Sequence, residues 1–185
     1  PVAMGTARRA FSRRTRPLRP DAVALNLKKE STVPQLDPAQ VRHHAETAFA
    51  DGLYCAESVL LALAQAQGID SALVPRIATG LCAGLARRCG PCGALTGGIL
   101  GIGLALGRAS PDDASQPAYA ATQALIAAFE AEFGARDCHR LLGCDLGTPE
   151  GQAHFREHRL RQRCAVFTGR AAELAAQQIN AAASL

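Results

Sequence analysis

Cys92 is the residue whose surroundings most clearly suit chemistry. It lies between Pro91 and the run Gly93-Ala94-Leu95-Thr96-Gly97-Gly98, where the pattern predicts the start of a helix. Unpaired amide N–H groups at such a start favour a thiolate, and Arg87 and Arg88 add positive charge close by. A thiolate is the form that attacks disulfides and the form that binds metals. Gly93, Gly97 and Gly101 recur every four residues, leaving one helix face bare so that a backbone or a cofactor can approach. The segment Cys89-Gly90-Pro91-Cys92 adds a Cys-x-x-Cys pair, a spacing in which one thiol can resolve a mixed disulfide formed by the other. In thioredoxin-like proteins that motif follows a strand of a βαβ unit, and no strand pattern precedes it here. Covalent haem attachment is not expected, because Gly93 stands where Cys-x-x-Cys-His needs histidine.

Further cysteines recur in an ordered series. Cys55 sits in Leu53-Tyr54-Cys55-Ala56-Glu57-Ser58-Val59-Leu60, Cys92 in Cys92-Gly93-Ala94-Leu95-Thr96-Gly97, and Cys138 in Cys138-His139-Arg140-Leu141-Leu142-Gly143, with Cys164 last. Over residues 40–175 this arrangement resembles the C_GCAxxG_C_C family of redox-active proteins, named for its cysteine signature. The resemblance implies a redox role and four key cysteines, which fall on Cys55, Cys92, Cys138 and Cys164. Cys82, Cys89 and Cys144 stand outside the signature.

Four thiolates brought together in a helical core would suit an iron–sulfur cluster, for electron transfer or redox sensing, or a structural zinc ion. Helix starts at Cys55 and Cys92, with Cys138 just after a capping Asp137, would stabilise such an anionic group. The wide spacing of the four matches no ferredoxin or zinc-ribbon pattern, so convergence depends on the fold. Two other readings stay open. One is a thiol–disulfide oxidoreductase using Cys89 and Cys92 without a cofactor. The other is a non-catalytic helical interaction protein whose cysteines are structural. A redox partner protein is expected for the first two, and a homo-oligomer fits any of them.

Histidines carry less. His154 and His158 are four apart on one helix, but Arg156, Arg159, Arg161 and Arg163 surround them, which reads as a solvated face rather than a cation site. His139 neighbours Cys138 and reads more simply as a packing or capping residue. No phosphate-binding loop, dinucleotide fingerprint or serine elbow is present, and the chain has no motif for specific nucleic-acid binding.

The elements needed to position these residues are helical. Of 185 residues, 48% are hydrophobic but only 4% aromatic, with no Trp, a composition that suits closely packed helices. The expectation is an all-α, compact bundle of about six to eight helices over residues 37–185. Residues 1–36 carry eight basic and two acidic residues without apolar periodicity and read as a disordered basic tail. Asp37-Pro38-Ala39-Gln40 opens the first helix, with a second over 54–67, a third over 71–79 and a glycine-rich connection over 80–91. Helices then follow over 92–106 and 114–133, with a short turn over 138–142, a helix from Pro149 and a last one carrying Cys164. The most apolar run, 94–106, is about half the roughly 20 residues that a membrane-spanning helix needs. Seven cysteines without a convincing secretory signal point to a reducing cytoplasm.

Overall fold

The computed structural model of the protein describes residues 34–184, which form eight helices and no strands. The basic segment before residue 34, expected to be a tail, lies outside the described residues. Helix α1 (Pro38–Ala50) begins as the sequence dictates, with Pro38 at its first position and the Asp37 carboxylate accepting from the Ala39 and Gln40 amides. Helix α2 (Cys55–Ala66) starts in a capping box, in which the Glu57 carboxylate reaches back to the Tyr54 amide at 2.8 Å.

The third expected helix is not formed. Pro75 removes an amide donor and restricts the residue before it, so only a 3-10 turn, Arg76–Leu81, follows it. The glycine-rich connection is itself more ordered than its composition suggests. After Cys82, residues Ala83, Gly84, Leu85, Ala86 and Arg87 all take positive φ between 49° and 68°, giving the short segment α3 (Cys82–Arg87) a left-handed turn. The Gly84 carbonyl accepts from both Arg88 and Gly90 and closes it. A left-handed helix costs L-residues about 1–2 kcal/mol each, so the surrounding packing must hold this one in place.

Helix α4 (Gly93–Leu106) has Cys92 as its N-cap. Helix α5 (Gln116–Phe133) is closed by Gly134 at φ 75°, and the five-residue α6 (Cys138–Leu142) follows Asp137. Helices α7 (Pro149–Glu157) and α8 (Arg161–Ala183) complete the chain, α7 being capped by the Thr148 hydroxyl. Helix α8 is the centre of the bundle and packs against α1, α2, α4 and α5. Ala171, Ala172, Ala175, Ala176 and Ile179 of α8 are fully buried, as are Leu125 and Phe129 of α5. The bare face of α4 rests on α2, where a Cβ at Gly97 would stand 2.6 Å from the Ala56 carbonyl oxygen. No described helix is long and apolar enough to cross a membrane.

Order starts earlier than expected, because Leu36 belongs to the core. It is 4% exposed, its amide donates to the Asn180 side chain at 2.8 Å, and Asn180 donates back to the Leu36 carbonyl at 2.9 Å. This reciprocal pair fastens the chain before α1 to the far end of α8. Leu36→Ala is therefore expected to cost about 2–4 kcal/mol in urea unfolding. Asn180→Ala should cost about 1–2 kcal/mol, because it leaves both Leu36 backbone groups without partners.

Candidate functional site

Four helix starts carry the signature cysteines. Cys55 is the first residue of α2, Cys92 caps α4, Cys138 opens α6 and Cys164 lies in the first turn of α8. Far apart in sequence, all four line one cavity of about 210 Å³. Two are fixed side by side by the backbone. The Cys92 amide donates to the Arg136 carbonyl at 2.7 Å and the Cys138 amide to the Gly90 carbonyl at 2.9 Å, around a short bridge between Pro91 and Asp137. Gly84 makes this approach feasible, since a Cβ there would stand 2.5 Å from the Cys138 Cβ. Gly93 makes room for Cys55, whose sulfur would overlap any side chain at that position.

The remaining walls combine apolar and cationic groups. Phe49, Leu141, Leu142, Phe155 and Phe167 line the cavity together with Arg87, Arg156 and Arg161. The Arg161 guanidinium lies 4.2 Å from the Phe49 ring centroid and donates to the Phe49 carbonyl at 2.6 Å, which holds it against this wall. Arg156 and Arg161 are exposed, as their crowding around the histidines suggested, and they also line the cavity. His154 and His158 do stack, with ring centroids 3.9 Å apart, and the His158 Nδ1 lies 3.0 Å from the His154 carbonyl oxygen, away from the cavity lining.

The thiols divide sharply in acidity, and not as the sequence suggested. Cys55, rather than Cys92, is the one held toward thiolate. The adjacent Cys82 thiol and then the Ala83, Ala56 and Cys55 amides bring it down to about 7 against the opposing effect of burial. The Ala83 amide belongs to the left-handed segment, so that turn helps to lower the Cys55 pKa. Cys82 is pushed up by its neighbour Cys55 and by burial. Burial also raises Cys92, and a charge on Cys55 raises it further. The Ala94 and Leu95 amides of α4 oppose this without prevailing. The helix start at Cys92 therefore exists, but its thiol sits too deep for amide donors to offset desolvation. Burial and the neighbouring thiols push Cys138 and Cys164 up to about 12.

These shifts set an alkaline limit. Thiols whose folded values lie above the ordinary value near 8.5 stay protonated in the fold while the unfolded chain releases protons. Stability contributed by Cys92, Cys138 and Cys164 is thus present below about pH 8.5 and falls as pH rises beyond it. Cys55, shifted the other way, adds stability between about pH 7 and 8.5 as its proton leaves the fold first. The expected result is a melting temperature that changes little from pH 7 to 8 and declines steadily from pH 9 upward. Replacing Cys138 and Cys164 by Ser should flatten that decline.

Cys89 stands apart from this group. It is exposed, the neighbouring Asp145 carboxylate raises its pKa, and it is not part of the cavity lining. The Cys-x-x-Cys spacing thus joins one cavity thiol to one surface thiol. Cys144 is buried in the hydrophobic core. All seven cysteines are free thiols. Among the described residues, no three Cys, His, Asp or Glu side chains gather closely enough to hold a metal ion. The four signature thiols ring a space rather than meet at a point.

Sequence reasoning missed three contributors. Cys82 sits in a glycine-rich stretch with nothing in its spacing to tie it to Cys55. Ala83 acts through its amide, a role no side-chain pattern encodes. Glu57 was read only as part of a helix, yet its buried carboxylate also accepts from the Thr79 hydroxyl at 2.7 Å and ties α2 to the segment leading into Cys82.

Comparison with known families gives one result. The sequence model of the family described as "Putative redox-active protein (C_GCAxxG_C_C)" matches residues 53–178, more than half of the chain and all of the cavity's cysteines. No curated protein and no solved structure matches the chain.

Proposed function

Since the chain belongs to the C_GCAxxG_C_C family of redox-active proteins, we propose that its redox centre is the cavity ringed by Cys55, Cys92, Cys138 and Cys164. The observation that carries this reading is the shared cavity. Residues separated by 37, 46 and 26 positions line one space, each from the first turn of a helix or its cap. Helix starts and Arg87, Arg156 and Arg161 offer positive potential to whatever negative charge gathers there.

The group that best suits this donor set is an iron–sulfur cluster. Zinc needs sulfurs about 2.3 Å from a single ion, and the thiols are not gathered for that. A cluster of several atoms would instead be held by thiols standing around a cavity. When bound, it would supply one-electron transfer at a potential tuned by hydrogen bonds to the sulfurs and by solvent exposure. The chain's own residues would hold and orient it. Cys55 is the thiol most ready to ligate as thiolate, the phenylalanines and leucines limit water, and the arginines offset charge.

Anaerobic purification with iron and acid-labile sulfide analysis tests this directly. The expected outcome is iron and sulfide in the parent protein with broad visible absorbance. Cys92→Ser should abolish both, whereas Cys89→Ser should retain them. A parent protein without metal, in which Cys89→Ser and Cys92→Ser remove the same two-electron couple, would overturn the cluster. It would leave thiol–disulfide exchange through Cys89 and Cys92 in its place.

A further inference from the structure

We infer that Cys82, outside the family's signature, pairs with Cys55 as a dithiol that oxidises reversibly to a disulfide. This goes beyond the four-thiol reading, since it uses only Cys55 of that set and requires no bound group.

Three features place the two cysteines against each other. Cys55 packs against the small cluster formed by Ala56, Leu60, Ala78 and Cys82. A Cβ at Gly93 would overlap the Cys55 sulfur and stand 3.0 Å from the Cys82 Cα, so both cysteines converge on the same glycine. The segment carrying Cys82 is held in register on both sides. The Thr96 hydroxyl of α4 lies between the Gly93 carbonyl at 3.1 Å and the Leu81 carbonyl at 3.3 Å, and Glu57 of α2 accepts from Thr79. The Cys82 thiol itself lies 3.5 Å from the Ala78 carbonyl, a contact that competes for its single proton.

Exposure divides the labour. Cys55 is partly exposed and lines the cavity, whereas Cys82 is buried behind it and does not. The oxidant is a small organic disulfide entering the cavity, and an anionic one suits the three arginines. Cys55 loses its proton and attacks one sulfur of R–S–S–R′. That bond breaks, R′S⁻ leaves and takes a proton, and Cys55 is left in a mixed disulfide with R. Cys82 then loses its proton and attacks the Cys55 sulfur, and RS⁻ leaves with that proton. Two protein thiols have become one disulfide while one small disulfide has become two thiols, a balanced two-electron exchange.

Glutathione disulfide is a suitable probe for the full chain, with free thiols counted and linkages mapped by mass spectrometry. The expected result is a loss of two of the seven thiols and a Cys55–Cys82 cross-linked peptide, reversed by dithiothreitol. Cys82→Ser should stop the reaction at one glutathione retained on Cys55. Cys82→Ala should do the same, so that a folding defect in either variant is recognised by its circular dichroism and does not decide the matter. A cross-link between Cys89 and Cys92, or no cross-link at all in the parent chain, would overturn the proposal. A cluster held by Cys55 and a Cys55–Cys82 disulfide exclude each other, so iron and sulfide are measured on the anaerobic protein before glutathione disulfide is added. Metal present there with no later cross-link overturns the dithiol alone, and a cross-link in protein without metal overturns the cluster alone.

Discussion

Gly97→Ala is expected to destabilise the protein by about 2 kcal/mol or more, although alanine is the better helix former. A methyl at this position would stand 2.6 Å from the Ala56 carbonyl oxygen and 2.9 Å from the Ala56 Cα, so it meets backbone that cannot swing aside. Overpacking costs about 1–3 kcal/mol and more where the neighbour is backbone, so a cost of about 3 kcal/mol or more outweighs the roughly 1 kcal/mol gained from replacing glycine in a helix. The comparison position is Gly103, six residues further along the same helix, where a Cβ would meet nothing within 4 Å. There the propensity gain is unopposed, and Gly103→Ala should stabilise by about 0.5–1 kcal/mol. Thermal melts of the two variants should therefore move in opposite directions, down by roughly 4–8 °C and up by roughly 1–4 °C for a domain of this size. Equal shifts would mean that α4 does not rest on α2 through its bare face.

Gly84→Ala combines two penalties and should disturb the site as well as the fold. The residue has φ 66°, where a Cβ is disfavoured, and its added methyl would stand 2.5 Å from the Cys138 Cβ and 2.9 Å from the Gly90 carbonyl oxygen. Strain and overpacking together should cost about 3 kcal/mol. Relief of the clash has to move Cys138 or the Gly90 loop, and the two are bonded to each other through the Cys138 amide. Alkylation of Cys138, slow in the parent because the thiol is buried and raised to about 12, should accelerate severalfold in this variant. Ala86→Gly provides the contrast. It lies in the same left-handed turn at φ 54° but is exposed, so glycine relieves strain there without touching the site. A small gain in stability with unchanged thiol reactivity is the expected result.

The left-handed turn also explains how the site can combine a favoured thiolate with such deep thiols. Its Ala83 amide and the amides at the start of α2 converge on one sulfur, that of Cys55. Burial first, and then a charge on Cys55, raises Cys92, Cys138 and Cys164 and leaves the other signature thiols neutral. Until something enters the cavity, the arrangement favours one negative charge rather than four.

Much of this architecture was legible in the chain before any coordinates. Local signals fix the helices: Asp37 before Pro38, Thr148 before Pro149 and Gly134 after Phe133 each act within a few residues through capping or φ, so the residue types suffice to place the ends. The absence of strands follows from the same kind of local pattern. The signature cysteines could be singled out because their sequence neighbourhoods, above all Cys92-Gly93-Ala94-Leu95-Thr96-Gly97, carry the family's pattern.

Other properties depended on tertiary structure, for reasons that no local pattern holds. Whether Leu36 is tail or core depends on Asn180, 144 residues away. The conformation of Ala83 to Arg87 runs against the preference of four of its five residues, so only the packing of Gly84 on Cys138 and Gly90 could impose it. The acidity of each thiol is a balance of burial against donors, and burial is a property of the whole fold. That balance moved the favoured thiolate from Cys92, where the helix start alone pointed, to Cys55, where Cys82 and the turn after it meet the start of α2. The residue types determined which atoms could do redox chemistry, and the packing of α2, α3, α4 and α8 decided which of them face one another.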